Sequence, residues 1–105
     1  MVEYCRVRIS ASLEGEANTI SRTLVSMKLV AGTMIYSGNC HYRREGEIRE
    51  KIYRNIGAFS LMTHREKIID ETKKLHSDIC PIIAFNAIDG NTEFLQRIET
   101  SLAYT

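Results

Sequence analysis

The sequence is poor in the residues that build disulfide frameworks, linkers and membrane spans. Its 105 residues include three cysteines, one proline, six glycines and no tryptophan. Cys5, Cys40 and Cys80 lie far apart without a CxxC pair, which argues against a disulfide framework and favours a reducing compartment. No apolar run approaches the roughly 20 residues that a membrane helix needs. We therefore expect one domain over residues 1–105 and no membrane partner.

Neither sign of charge dominates the composition. The 14 Lys and Arg residues and the 13 Asp and Glu residues leave a net charge of +1. Nucleic-acid binders usually carry a larger basic excess, so we expect no nucleic-acid partner. No charged-then-apolar leader follows Met1, so we also expect no secretory signal and a cytoplasmic location.

The first half of the chain predicts a strand, a helix and a hairpin. Apolar residues at alternate positions over 2–11 predict a strand with one buried face. Two long strands, 31–44 and 47–61, are predicted to pair around a hairpin tip at Glu45-Gly46. A helix between the first strand and the hairpin is predicted from an apolar stripe at helical spacing: Leu13, Ala17, Ile20, Leu24 and Met27.

The second half predicts a helix, a strand and a final helix. Thr63 and Glu66 have the spacing of a capping box, which predicts a helix with Thr63 as its N-cap residue. The nearly continuous apolar run from Ile82 to Ile88 predicts a central strand that is buried on both faces. The last helix is predicted from its apolar positions Phe94, Leu95, Ile98 and Leu102.

The predicted order is βαββαβ followed by an extra helix. This order is typical of a ferredoxin-like α+β fold, one antiparallel sheet with helices on one face. The two hairpin strands are long for so small a domain, so their ends should project beyond the sheet. Exposed strand edges with apolar residues need a cover. We therefore expect oligomerisation through these strands.

Four segments, in order along the chain, resemble the CutA divalent-cation tolerance family. They are LVAGTMI (29–35), YRREGEI (42–48), LHSDICPIIAF (75–85) and DGNTEFLQRI (89–98). The resemblance covers nearly the whole chain. It implies ferredoxin-like subunits, a homotrimer held by strand-to-strand contacts, and an association with copper or other divalent metals.

The chain departs from the family pattern at several positions. The family usually has a Cys that is linked to metal where this sequence has Gly32, and Trp where it has Arg44 and Arg97. Its pattern around the histidine survives only as His76 and Pro81. The sequence is therefore identified as a divergent member.

Metal ligands are the first functional candidates. Thiolate and imidazole groups suit Cu(I) and Zn(II). His76, which matches the family motif, and Cys80 are four residues apart in one predicted loop, and Cys40 is a third candidate. The alternative is that Cys5 and Cys80 are small buried apolar residues rather than ligands. The residues define no fixed cofactor, and copper or another divalent metal is the candidate ion.

The hairpin tip is the second functional candidate. Tyr42, Arg43, Glu45 and Gly46 place an aromatic ring and charges beside a tight turn. Such a tip could hold a small anion or another ligand in a cleft between subunits. The alternative is a solvated tip that forms ion pairs between subunits.

No catalytic set is recognisable. The sequence has no Ser/His/Asp or Cys/His/Asn set at a known spacing and no glycine-rich phosphate loop. We therefore predict a non-enzymatic, CutA-like homotrimer that handles divalent metals or confers tolerance to them. The alternative is a trimeric signalling or sensor scaffold, similar to the PII proteins, that binds a small ligand in clefts between subunits.

Overall fold

Strands and helices follow one another in the order that the sequence predicts. The structure, a computed structural model, describes residues 2–78 and 81–102. Its elements are β1 (Tyr4–Ala11), α1 (Glu14–Ser26), β2 (Gly32–Arg44), β3 (Glu47–Leu61), a 3-10 turn (Met62–His64), α2 (Arg65–Leu75), β4 (Ile82–Ala87) and α3 (Thr92–Leu102). None of the helices in these two ranges has the length and apolar character to cross a membrane.

The strands form one antiparallel sheet in the order β2-β3-β1-β4. β1 lies in the interior of the sheet, between β3 and β4. β2 pairs with β3 along its whole length. α1 and α2 contact each other and pack on one face of the sheet. This arrangement is the ferredoxin-like α+β fold, and it confirms the predicted fold class.

The core lies between that sheet face and the two helices. Alternation along β1 sends its apolar side chains to this face, where the amphipathic stripes of the helices meet them. Burying one such aliphatic side chain contributes roughly 1.5–3 kcal/mol to stability. The core includes Cys5, Val7, Ile9, Ile56, Ala58, Ile20, Leu24 and Ile68, all of them buried.

In the described part of the chain, the opposite face of the sheet, called the open face below, is covered only at one end, where α3 crosses it. Phe94 of α3 packs edge-on against Phe59, with the ring centroids 4.9 Å apart. Tyr4 donates a 2.7 Å hydrogen bond to Glu99 of the same helix. Away from α3 the open face carries the alternate side chains of the strands: Arg6, Arg8 and Ser10; Met34, Tyr36, Gly38 and Cys40; Lys51, Tyr53, Asn55 and Gly57.

The β2–β3 hairpin projects beyond the rest of the sheet. β1 ends at Ala11, opposite Arg54, so residues 38–53 extend past it as a two-stranded arm. This hairpin arm helps give the molecule its extents of 46 × 24 × 21 Å. Both predicted strands agree with the observed ones to within one residue at each end.

The last strand is at an edge of the sheet, which corrects the prediction of a central strand. Among the strands that the structure describes, β4 pairs with β1 alone. Ile83 and Phe85 pack against the core, whereas Ile82 and Ala84 are exposed on the open face. A short apolar run has no period that distinguishes burial on both faces from burial on one, so the prediction was wrong about the strand's position.

The start of α2 corrects a second prediction. Thr63 lies inside the 3-10 turn, and the helix begins at Arg65 with His64 as its N-cap residue. No side-chain hydrogen bond caps the helix, and Glu66 pairs with Arg65 instead. The capping-box prediction was wrong because the 3-10 turn moves the N-cap position from Thr63 to His64, one residue along the chain.

Candidate functional site

His76, the first predicted metal ligand, connects the end of α2 to β1 by a hydrogen bond. Its side chain is fully buried. The Nε2 atom lies 2.7 Å from the Ser10 carbonyl oxygen, and the Asp78 N–H donates to Nδ1 at 3.2 Å. A neutral ring that carries its proton on Nε2 satisfies both contacts. A metal ion at either nitrogen would have to displace a main-chain partner.

The residues after His76 add three more hydrogen bonds to the same corner of the fold. Ser77 donates to the Glu16 carboxylate from its N–H at 2.7 Å and from its hydroxyl at 2.6 Å. Ser12 donates to Asp78 at 2.8 Å. The bonds from Ser77 lower the pKa of Glu16 below its ordinary value. These hydrogen bonds hold residues 76–78, directly after α2, against the end of β1 and the start of α1.

The two cysteines that the structure describes, the predicted ligand Cys40 and Cys5, lie in different surroundings. Cys40 is half-buried on the open face of the hairpin arm. Cys5 is buried in the core, where desolvation raises the pKa of its thiol, partly offset by a hydrogen bond with the Ser60 backbone. Cys80 lies outside the described residues. Within the described ranges, no group of three or more His, Cys, Asp or Glu side chains is placed to hold a metal ion.

The hairpin tip is a tight two-residue turn. Glu45 and Gly46 both have positive φ, 53° and 78°, as a type I′ turn requires. Arg49 lies 3.6 Å from Glu47 and 3.9 Å from Glu45. These ion pairs are exposed, so they contribute little stability. The turn at Glu45-Gly46 is confirmed.

The two other predicted tip residues point in opposite directions. Tyr42 stands opposite Arg49 and Arg43 opposite Ile48, and neighbouring residues of a strand face opposite sides. Within one chain they therefore do not line a common cleft. A cleft that uses both would have to be completed by another copy.

A cavity of about 270 Å³, not predicted from the sequence, lies in the open face. Arg8, Ser10, Gly38 and Asn55 are among the residues that line it. Alternation already placed Arg8 and Ser10 on one face of β1, which was the available signal. That Asn55 and Gly38 join them depends on the alignment of three strands, and this alignment cannot be deduced from a single strand pattern.

The sheet order, the helices on one face and the long hairpin arm define a class, the ferredoxin-like subunits with an extended β2–β3 hairpin. Comparisons with known proteins identify the family within this class. The model of a family described as CutA1 divalent ion tolerance protein matches residues 5–101. The chain therefore belongs to this family, which confirms the resemblance found in its four segments.

Solved structures of the family superpose on nearly the whole chain. CutA1 from Ehrlichia chaffeensis has a TM-score of 0.91 at 21% identity and covers 99% of each chain. The periplasmic divalent cation tolerance protein CutA from Archaeoglobus fulgidus has a TM-score of 0.90 at 26% identity, covering 95% of this chain and 99% of its own. The divalent cation tolerance protein from Thermus thermophilus has a TM-score of 0.84 at 29% identity, covering 93% of this chain and 95% of its own. No curated protein sequence matches the chain.

Proposed function

We propose that the chain forms a non-enzymatic homotrimer in the cytoplasm that handles divalent metals, copper among them, or confers tolerance to them. Membership of the divalent ion tolerance family supports the general role. In this proposal each subunit is one domain, residues 1–105. The hairpin arm and the open face supply the contacts between subunits.

The observation that carries the assembly is the apolar surface of the hairpin arm. Ile48 and Ile52 are 75% and 50% exposed on one side of β3, and Met34 is 72% exposed on the open face. β2 is an edge strand of 13 residues among the described elements, so its outer backbone groups have no strand partner there. Long edges with apolar side chains need a cover, and a second copy would supply one.

The described residues offer few candidate ligands for the proposed metal role. Of the three predicted ligands we propose Cys40 as the first to test, because its thiol is partly exposed and soft metals prefer thiolates. His76 would have to exchange a main-chain hydrogen bond for a metal bond. An ion shared between subunits could draw a Cys40 from each of them.

Native mass spectrometry of the full chain, titrated with Cu(II) and Zn(II), tests the assembly and the metal together. We expect a trimer that takes up a fixed number of ions, and loses them with Cys40→Ser or His76→Gln but keeps them with the control His64→Gln. Ile52→Glu should break the trimer, whereas Asn18→Glu adds the same charge on α1 and should not. A monomer would refute the assembly, and a trimer without bound metal would refute the metal role alone.

A second candidate function is the PII-like sensor scaffold, which the cavity in the open face favours. A trimer that ignores metal but is stabilised against heat by a small molecule would support this alternative.

A further inference from the structure

A cleft of about 290 Å³ opens between α3 and the start of β2, and it is called the α3 cleft below. Its described lining comes from α3, from Ala31 and Gly32, and from Phe59 on β3. Ligand sites in proteins typically have volumes of about 300–1,000 Å³. The α3 cleft is therefore of a size that suits a small ligand.

The walls of the α3 cleft are apolar and partly aromatic. The rings of Phe59 and Phe94 pack edge to face, and Ile98 beside them is 1% exposed. A Cβ atom built on Gly90 would lie 3.2 Å from Phe94 Cδ2, so the backbone before α3 also confines this ring. Fixed aromatic walls favour the ring of a ligand, which can pack against them at its face or its edge.

Gly32 leaves space in the α3 cleft. It stands opposite Phe59 in the pairing of β2 with β3, and directly opposed residues project from the same face of a sheet. A Cβ atom built on Gly32 would have no described atom within 4 Å apart from its chain neighbours. A larger side chain at this position would therefore fit without a clash, and it would occupy the cleft.

Of the described residues that line the α3 cleft, Arg97 alone carries a charge. It is exposed, and no hydrogen bond or ion pair links it to another described residue. A guanidinium presents N–H groups in a planar fork that matches a carboxylate. Arg97 can therefore bind a carboxylate whose apolar part enters the cleft.

The proposed trimer uses other parts of the surface. α3 already covers this end of the open face, through the contact of Phe94 with Phe59. No residue of the hairpin arm is among the described residues that line the α3 cleft, and of β2 only its first residue, Gly32, is among them. Contacts between subunits through the arm and the uncovered part of the open face are therefore compatible with a ligand in the α3 cleft.

We propose that the α3 cleft binds a small aromatic carboxylate. The ring of the ligand packs against Phe59, Phe94 and Ile98, and its carboxylate pairs with Arg97. A purely ionic ligand such as phosphate would leave the apolar walls without a partner, and an uncharged ring would leave Arg97 without one. This site requires no metal, so it goes beyond the proposed metal role.

Isothermal titration calorimetry of the full chain with sodium benzoate, at an ionic strength held constant with NaCl, tests the site. We expect saturable binding of one benzoate per chain. Arg97→Gln should weaken it at least about tenfold, the loss expected for one charge-assisted hydrogen bond. Gly32→Leu should abolish binding by filling the cleft, and Gly32→Ala, which should weaken it, serves as the smaller change if the leucine variant does not fold.

Arg22→Gln on α1 is the matched control, since it removes the same charge from an exposed helix position on the other side of the sheet. Benzyl alcohol, which has the ring without the charge, should bind the parent chain at least about tenfold more weakly than benzoate. If Arg22→Gln weakens binding as much as Arg97→Gln, benzoate responds only to the overall charge and the site is refuted.

Three other results would also refute the site: no benzoate binding, full binding by the Gly32→Leu variant, or displacement of benzoate by an equal concentration of inorganic phosphate. Native mass spectrometry of the same samples reports the oligomer separately. A trimer that does not bind benzoate would refute the α3 cleft alone, and a monomer that binds it would refute the assembly alone.

Discussion

The two ends of β3 belong to one strand but lie in different environments. Near its C-terminal end, Ile56 and Ala58 are fully or almost fully buried beneath the helices. Toward its N-terminal end, Ile52 and Ile48 lie on the same side of the strand, with Glu50 and Arg54 at the positions between, and both isoleucines are exposed in the hairpin arm. An isoleucine on this side of β3 therefore does not by itself indicate burial. The difference arises because α1 and α2 cover only the body of the sheet.

The largest expected effect is a loss of folding stability, and it should differ between the two ends of β3. Ile56→Ala should destabilise the fold by about 2–5 kcal/mol, because it leaves a cavity in the core. Ile52→Ala, earlier on the same side of the strand, should cost an isolated chain less than about 0.5 kcal/mol. Urea unfolding over a range of protein concentrations measures both.

In the proposed trimer, the Ile52→Ala loss should depend on protein concentration, whereas the Ile56→Ala loss should not. If Ile52→Ala lost as much stability as Ile56→Ala at every concentration, the arm would have to be buried within one chain, contrary to its exposure.

A smaller effect is expected at the corner of the body where α2 ends. His76→Ala removes the partner of the Ser10 carbonyl and of the Asp78 N–H, which should cost about 1–3 kcal/mol. His64→Ala, at the opposite end of α2, is the control and should cost less. Thermal and urea unfolding give both values, and equal losses would contradict the role assigned to the His76 ring.

The same corner should make stability depend on pH through Glu16. Its pKa is lower in the folded state than its ordinary value of 4.5, chiefly because Ser77 donates two hydrogen bonds to it. The stabilising contribution is therefore present above that ordinary pKa and is lost as pH falls through the folded one. Glu16→Gln should lower Tm at neutral pH and converge with the parent protein in acid.

Glu14→Gln in the same turn of α1 is the control for this measurement, because no described residue pairs with Glu14. A Glu16→Gln deficit that persists unchanged in acid would show that the carboxylate charge is not what Ser77 recognises.

The smallest effect is expected at the tip of the arm. Glu45 adopts a positive φ that Asn accommodates better, and Asn-Gly is favoured in type I′ turns. Glu45→Asn should therefore stabilise the hairpin by less than about 1 kcal/mol. Glu47→Asn, in the adjoining strand, should give no gain in the same thermal unfolding assay, and a gain there would attribute the effect to charge rather than to turn geometry.

The fold was predictable because its signals are local. Alternation in β1, the stripe of α1 and the Glu45-Gly46 turn each depend on residues close in sequence. The errors occurred where local patterns are ambiguous. The apolar run from Ile82 does not indicate which strands lie on either side of it. Thr63 has the residue type of a helix cap, but it lies inside the 3-10 turn and does not cap α2.

The candidate sites were less predictable because they depend on contacts between distant segments. The family motif drew attention to His76, but its bond to Ser10 spans 66 residues of sequence. Arg8 was noted only as one of several basic strand residues. Its cavity is completed by Asn55 and Gly38 on two other strands, and only the observed pairing brings them together.

The buried Ser10–Asn55 hydrogen bond has a further consequence, for how the strands choose their alignment. Sliding β3 by two residues along β1 would keep each side chain on its own face of the sheet, because successive side chains of a strand alternate between the faces. The slide would, however, part Ser10 from Asn55 and separate two buried polar side chains. Each left unpaired would cost about 1–3 kcal/mol. One hydrogen bond in the centre of the sheet thus adds to hydrophobic burial in favouring the correct alignment over one that preserves the same faces.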